Sequence, residues 1–441
     1  MREIEFAYRE SCLIRDEEIL REGKRLLPEI KKVKATVSSG YKTDYASVSL
    51  CSDSKILAEV EKTIKAKKKL KPHVLVVVGI GGSNLGTMAV HQSINGKRYN
   101  ETNPPIHIYF ADTIDTDKIN RILSISEETL DKGENVLVNV VTKSGTTTET
   151  IALFELFYDQ LKRHRKNYRD YVVATTDEGS KLWDVAGKEG FTRLKIPGKV
   201  GGRYSVFSAV GLFPLGMMGA DIRKLQEGAA SMLQKCTSEE LLSNPAAVSA
   251  ILLFLHKKAG RNINDNFFFS DDLEAVGKWY RQLMGESIGK EWDRSREKRV
   301  FEGITPTVSI GSTDLHSMAQ LYLAGPQDKT TTFVKVGKNK KELALPEHSI
   351  FESLVESIQG RRLSTIMNAI YEGVKISYME HGRPFTEIVL ADKSEESVAA
   401  LLQFKMVEIM YLAYLLGVNP FDQPNVEGYK VETRRILSGD E

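Results

Sequence analysis

One cation and six hydroxyl side chains fall within the ten residues Val141-Thr142-Lys143-Ser144-Gly145-Thr146-Thr147-Thr148-Glu149-Thr150. Residues of these types bind phosphate: hydroxyls donate to its oxygens, and an ammonium group adds a full opposite charge. The segment follows Asn135-Val136-Leu137-Val138-Asn139-Val140-Val141, whose length and valine content predict a buried parallel strand, and Ile151, Phe154, Tyr158 and Leu161 then recur at helical spacing. Strand, hydroxyl loop and helix is therefore the implied order. The first-turn amides of such a helix lack internal partners and carry partial positive charge, so an anion held there gains hydrogen bonds and a favourable field. Ser and Thr also cap helices, and a capped strand-to-helix turn is the competing reading for any one of these threonines.

A second turn of the same kind lies upstream, where Val74-Leu75-Val76-Val77-Val78 runs into Gly79-Ile80-Gly81-Gly82-Ser83-Asn84-Leu85-Gly86. Its glycines let backbone approach a ligand closely. The pattern is not a dinucleotide fingerprint, because the following strand offers Asp112 rather than a ribose-binding acid placed about twenty residues on. No Gly-x-x-x-x-Gly-Lys-Ser/Thr string occurs, which argues against a nucleoside triphosphatase. A small phosphorylated molecule at the carboxyl ends of parallel strands fits both turns.

Four further segments carry groups suited to acid, base or charge-stabilising chemistry. Gly201-Gly202-Arg203-Tyr204-Ser205 places a guanidinium after two glycines, in a turn expected to start a helix through Val206 and Phe207. Its permanent charge and rigid fork of donors suit a forming enolate-like oxygen, or equally a structural bridge at the turn. In Met284-Gly285-Glu286-Ser287-Ile288-Gly289-Lys290 two glycines flank one carboxylate on a helix that must bend or end there, making Glu286 either a general base or a solvated glutamate. His316 is either an ordinary helix histidine or a group for chemistry, and its position just after a Gly-Ser-Thr turn sets it above the other seven histidines. Lys430 falls one turn into a helix that begins after Phe421-Asp422-Gln423-Pro424, where a cation is disfavoured by the helix dipole, so either a ligand selects it or it is a solvated surface lysine.

Positioning these groups requires an α/β scaffold. Strands are expected near Val74–Ile80, His107–Ala111, Asn135–Val141, Tyr171–Thr175 and Thr192–Ile196, with helical stretches between them, a pattern that implies a doubly wound parallel sheet. A polar, helical bridge near Ala220–Asn264 leads to a second set of strands at Phe267–Phe269, Pro306–Ile310, Thr330–Val336 and Thr386–Leu390. Glu395 to about Leu416 reads as one long, largely apolar helix that must pack against protein.

At 441 residues, 41% hydrophobic and 27% charged, the chain is long enough for two or three lobes with sizeable cores. Its net charge of +2 offers no global attraction for nucleic acid or membrane, and the basic runs Lys65–Lys71 and Lys162–Lys166 read as solvated helix ends. Cys12, Cys51 and Cys236 are few and odd in number, which fits reduced thiols in a cytoplasmic protein, and no signal-peptide core or Cys/His metal spacing is present.

Taken in order, Gly-Ile-Gly-Gly-Ser, Thr-Lys-Ser-Gly-Thr-Thr, Gly-Gly-Arg-Tyr-Ser, Gly-Glu-Ser-x-Gly-Lys and Phe-Asp-Gln…Val-Glu…Lys resemble the motifs of the glucose-6-phosphate isomerase family across about residues 74–430. The resemblance implies two flavodoxin-like sugar-isomerase lobes with additional helices at both termini. The expected division is a helical lead-in over 1–70, lobes at 71–220 and 266–420, a helical bridge at 221–265 between them, and a tail at 421–441 carrying Lys430.

By the same resemblance, Glu286 is the base that moves a proton between C2 and C1 of the open sugar, His316 and Lys430 assist ring opening, and Arg203 stabilises the cis-enediolate. Gly82, Ser83, Thr142, Lys143, Ser144 and Thr147 fall on the phosphate-binding set, and Gln282 and Gln423 line the sugar. The implied assembly is a homodimer with His316 donated across the interface, acting without metal or cofactor. Gly198 departs from the usual acidic or small polar residue, Asn425 from the usual Gly or Ala, and the histidine segment lacks the aromatic residues that often follow it. An isomerase that also accepts mannose 6-phosphate, and a non-catalytic sugar-phosphate sensor, are the alternatives. A sensor has no need of Glu286, Arg203 and Lys430 together.

Overall fold

The computed structural model describes residues 4–439; residues 1–3 and 440–441, which belong to the expected lead-in and tail, lie outside the described residues. The chain opens with β1 (Glu5–Ala7), α1 (Asp16–Thr36) and α2 (Ser54–Lys68). It then alternates through β2 (Pro72–Val78), α3 (Leu85–Asn95), β3 (His107–Ala111), α4 (Thr116–Asp131), β4 (Asn135–Val141), α5 (Thr148–His164), β5 (Val172–Asp177), α6 (Lys181–Glu189), β6 (Thr192–Ile196) and α7 (Ala209–Met217). Next come α8 (Ile222–Cys236) and α9 (Pro245–Lys258), followed by β7 (Ile263–Phe268), α10 (Glu274–Ile288), β8 (Lys290–Trp292), β9 (Arg299–Glu302), β10 (Thr305–Ile310) and α11 (Ala319–Ala324). The chain closes with β11 (Lys329–Val336), α12 (Leu363–Glu380), β12 (Phe385–Leu390), α13 (Glu395–Leu416) and α14 (Glu427–Ser438).

The first sheet is wholly parallel in the order β3-β2-β4-β5-β6, the flavodoxin-like arrangement in which the chain reverses direction between its first and third strands. The turns leaving β2 and β4 therefore open side by side at the point where such sheets bind ligands. The second sheet, β1-β12-β11-β7-β10, repeats this order over its four parallel strands and takes β1 as an antiparallel fifth.

Residues 1–70 are thus not simply a helical lead-in, because Phe6 pairs with Ile388 and completes the second sheet. Three residues are too few for a periodic signal, and only the open edge of β12 makes them a strand. β7 likewise starts earlier than the Phe267–Phe269 run suggests, since Asn264, Asp265 and Asn266 are buried in it. Hydroxyl-rich neighbours accommodate them: Asp265 Oδ1 accepts hydrogen bonds from Thr307 Oγ1 at 2.6 Å and Ser309 Oγ at 3.0 Å. Lys67 is also no solvated helix end; it is buried, with Nζ donating to the Asp170 carbonyl.

α13 is the central helix of the core, packed against α8, α9 and α10. Its length and hydropathy would suit a membrane span, but 94% of its most apolar window is buried inside the protein. The bridge helix α9, expected to be polar, is almost wholly buried too. A buried pair, Lys405 Nζ with Glu408 Oε2 at 2.9 Å, is completed by Tyr280 and Ser249 donating to the carboxylate, which ties α9, α10 and α13 together. α10 is thereby seated rigidly, with Glu286 in its last turn.

Candidate active site

The turn after β2 and the turn around Arg203 meet backbone to backbone. A Cβ on Gly82 would stand 2.3 Å from the Gly202 carbonyl carbon and 2.5 Å from Arg203 N, so only glycine permits the approach. The same glycine that is expected to let a ligand approach also admits a second loop, and Ser205 Oγ donates to the Gly82 carbonyl at 3.3 Å. The Arg203 turn is a short 3-10 segment, Gly202–Tyr204, rather than the start of a helix through Val206 and Phe207. Ser208 caps the next helix by accepting from Val210 N at 3.2 Å, which delays its start to Ala209.

In the hydroxyl loop, Thr147 occupies the N-cap position of α5 without a side-chain bond to the helix amides, and its Oγ1 lies 2.9 Å from Thr142 Oγ1. The capped-turn alternative therefore does not describe Thr147, and the first-turn amides of α5 remain available to an anion. Thr176 Oγ1 fixes the loop from behind by donating to the Thr142 carbonyl at 2.6 Å. Gly145 adopts φ +69°, the left-handed conformation that turns the loop back toward α5. Lys143 is half-buried, and burial lowers its pKa below the ordinary lysine value while Asp177 opposes the shift. No ion pair engages Lys143 among the described residues, so the only carboxylates that act on its charge in the cleft lining are the more distant Asp177 and Asp44.

Arg203 is 3% exposed and spends every donor nitrogen on a protein oxygen. Its Nε donates to Ser287 Oγ at 2.8 Å, Nη1 to Glu286 Oε2 at 3.0 Å and Gln423 Oε1 at 2.8 Å, and Nη2 to the Pro420 carbonyl at 2.6 Å and the Asp422 carbonyl at 3.2 Å. The other Glu286 oxygen accepts from Gln282 Nε2 at 3.0 Å, leaving the buried Gln282 Oε1 without a protein partner. Glu286 is held in one orientation at the end of α10, which stops at Gly289.

A cleft of about 620 Å³ is lined by Gly82, Ser83, Thr142, Lys143, Ser144, Thr147, Arg203, Gln282, Glu286, Gln423 and Lys430. It collects residues from both lobes and from the tail. His316 is not in the lining: it caps a 3-10 turn after the edge strand β10 and is exposed. Lys430 sits on the rim in an ion pair with Glu427 at 2.7 Å, on a helix none of whose residues is buried.

Sequence reasoning missed several contributors. Tyr429, Thr433 and Arg434 also line the cleft, and Lys290 and Asp422 stand directly behind it. Lys290 lies four residues after Glu286, a helical spacing that could have drawn attention to it. The oddity at Gly198 has a spatial counterpart, since a Cβ there would lie 3.3 Å from the Asp177 carboxylate. Asn425, where the resemblance expects Gly or Ala, lies in a 3-10 turn, and its Nδ2 donates to Glu291 Oε2 at 3.0 Å.

Comparison with known proteins bears on the whole chain. The phosphoglucose isomerase family model matches residues 14–440. A glucose-6-phosphate isomerase from Carboxydothermus hydrogenoformans is 34% identical over 86% of this chain and 82% of its own length. One from Methanocaldococcus jannaschii is 34% identical over 82% of this chain and 84% of its own. The crystal structure of a hypothetical protein from Thermus thermophilus superposes with a TM-score of 0.87 at 31% identity, covering 99% of this chain and 100% of that one. A Chlamydia trachomatis glucose-6-phosphate isomerase shares the fold, with a TM-score of 0.76 at 23% identity over 90% of this chain and 75% of that one. With the two flavodoxin-like lobes and a family match running through both, the chain belongs to the phosphoglucose isomerase family.

Proposed function

We propose that the cleft carries out the reversible aldose-ketose isomerisation of D-glucose 6-phosphate and D-fructose 6-phosphate, the interconversion used in glycolysis and gluconeogenesis. The observation that carries this reading is the Glu286 carboxylate, gripped at one oxygen by Arg203 and at the other by Gln282, in the same cleft as the hydroxyl loop. Ser83, Thr142, Lys143, Ser144, Thr147 and the α5 amides hold the phosphate, anchoring the sugar at a point remote from the reacting carbons. His316 and Lys430 move the proton that opens the ring. Glu286 then takes the C2 proton and returns it to C1, while Arg203 offers fixed positive charge to the enediolate oxygen. Gln282 Oε1 and Gln423 accept hydrogen bonds from sugar hydroxyls.

The absence of His316 from the cleft lining supports a homodimer in which the partner copy supplies this residue. Exposed Ile350, Phe351, Leu354, Ile436 and Leu437 offer apolar surface for such an interface. Three buried free thiols are in keeping with a cytoplasmic setting. The test is to incubate the protein with fructose 6-phosphate and chelator and quantify aldose phosphates beside Glu286→Gln. Glucose 6-phosphate from the parent alone supports the reading, accompanying mannose 6-phosphate shows broader specificity, and binding without product from the parent rejects catalysis.

A further inference from the structure

The segment from Gly417 to Val426 links the core helix α13 to α14 and brings Gln423 and Lys430 to the cleft. The β8–β9 hairpin, which sequence reasoning did not identify, grips this segment along its length. Arg294 N donates to the Gly417 carbonyl at 2.8 Å, Arg296 Nη2 to Asp422 Oδ2 at 2.9 Å, and Asn425 Nδ2 to Glu291 Oε2 at 3.0 Å. The central contact is Lys290. Its side chain is 7% exposed, and its Nζ lies 3.1 Å from Asp422 Oδ1 while also donating to the Asp422 carbonyl. The same ammonium donates at 2.7 Å to the Glu286 carbonyl, one of the last four in α10, which have no intrahelical partner.

One buried cation thus caps the helix that carries Glu286 and holds the residue next to Gln423. From the other side, Arg203 donates to the same Asp422 carbonyl and to the Glu286 carboxylate. Burial lowers the Lys290 pKa, and Asp422 offsets that shift by pairing with the buried ammonium.

We propose that Lys290 and Asp422 are positioning residues for the isomerisation, forming a clamp that sets the separation between the base on α10 and both Gln423, on the Gly417–Val426 segment, and Lys430, on the α14 helix that follows it. The inference rests on the roles assigned above to Glu286, Arg203 and Lys430. Neither clamp residue belongs to the phosphate loop, so a loosened clamp reduces turnover while leaving the anchor intact.

The test measures kcat, KM and the inhibition constant of inorganic phosphate for Lys290→Met, alone and combined with Lys430→Ala. Misplacement of catalytic groups predicts a kcat loss of about tenfold to a hundredfold with the phosphate constant within about twofold, and a smaller further loss once Lys430 is gone, because only the part felt through Glu286 and Gln423 then remains. Hydrogen exchange should quicken over residues 417–430 and stay unchanged in α5. If Lys290→Met does not fold, Asp422→Asn, which keeps the backbone carbonyl, is read in the same way. Unchanged kcat, an equal loss in the Lys430→Ala background, or a parallel rise in the phosphate constant would overturn the clamp. An inactive parent, or full activity in Glu286→Gln, would instead overturn the reading of the site.

Discussion

Arg203 Nη1 stands 3.0 Å from Glu286 Oε2, which places a permanent cation against the carboxylate that faces the sugar-phosphate cleft. The guanidinium is fully desolvated, with 2% of its side chain exposed, whereas the glutamate side chain keeps 31% exposure. The charge is therefore strong where it acts, and the carboxylate stays open to the cleft.

Arg203→Lys keeps the charge but loses the fork that reaches Ser287, Glu286, Gln423 and two backbone carbonyls. Its kcat should fall by about 10²–10³, the scale set by loss of a preorganised charge-stabilising donor. Inorganic phosphate should inhibit it as it does the parent. Steady-state kinetics test this, and activity within about threefold of the parent would contradict the role.

Lys143→Ala should raise KM and the phosphate inhibition constant by about tenfold or more, consistent with a charge-assisted hydrogen bond of about 1.5–3 kcal/mol. The pH dependence has a definite sign. Because burial lowers the Lys143 pKa, the free enzyme loses this charge at a pH below the usual lysine range, and phosphate affinity should weaken as pH rises through that point. In the window between the lowered folded value and the unfolded one, the unfolded chain binds more protons, so this residue's contribution to folding stability rises with pH. Phosphate titrations of parent and variant across the alkaline range separate the two effects.

Gly82→Ala would drive a methyl group into the Gly202–Arg203 backbone, where neither chain has a flexible end to move. Overpacking of this kind costs about 1–3 kcal/mol. Urea unfolding should show the loss, and activity should fall as well because the strain displaces Arg203. A variant with parental stability and turnover would show that the two loops are not closely docked.

Glu286→Gln and His316→Ala should each be inactive alone. If His316 serves a neighbouring subunit's cleft, mixing the two variants under conditions of subunit exchange should restore up to about a quarter of parental activity, through heterodimers with one intact site. No recovery after verified exchange would mean that each chain supplies its own histidine.

Local pattern alone was enough to place the parallel strands of both lobes, though not all their ends and not the β8–β9 hairpin. Valine-rich runs such as Asn135–Val141 announce buried strands through composition alone, and the donors that the Thr142–Thr147 loop brings to the cleft are named by residue type alone. The apolar run Glu395–Leu416 was legible as a buried helix because so little of it is polar. What depended on the tertiary structure were features whose signal is not local. β1 is a strand because β12 presents an edge, and Gly82 is required by the Arg203 loop, more than a hundred residues away. Lys290 and Asp422 became recognisable as partners only when the β8–β9 hairpin closed over the C-terminal strap. Local composition sets which backbone and side-chain groups are available. Which groups meet is decided by burial of the two lobes around α13, where long-range packing outweighs local preference.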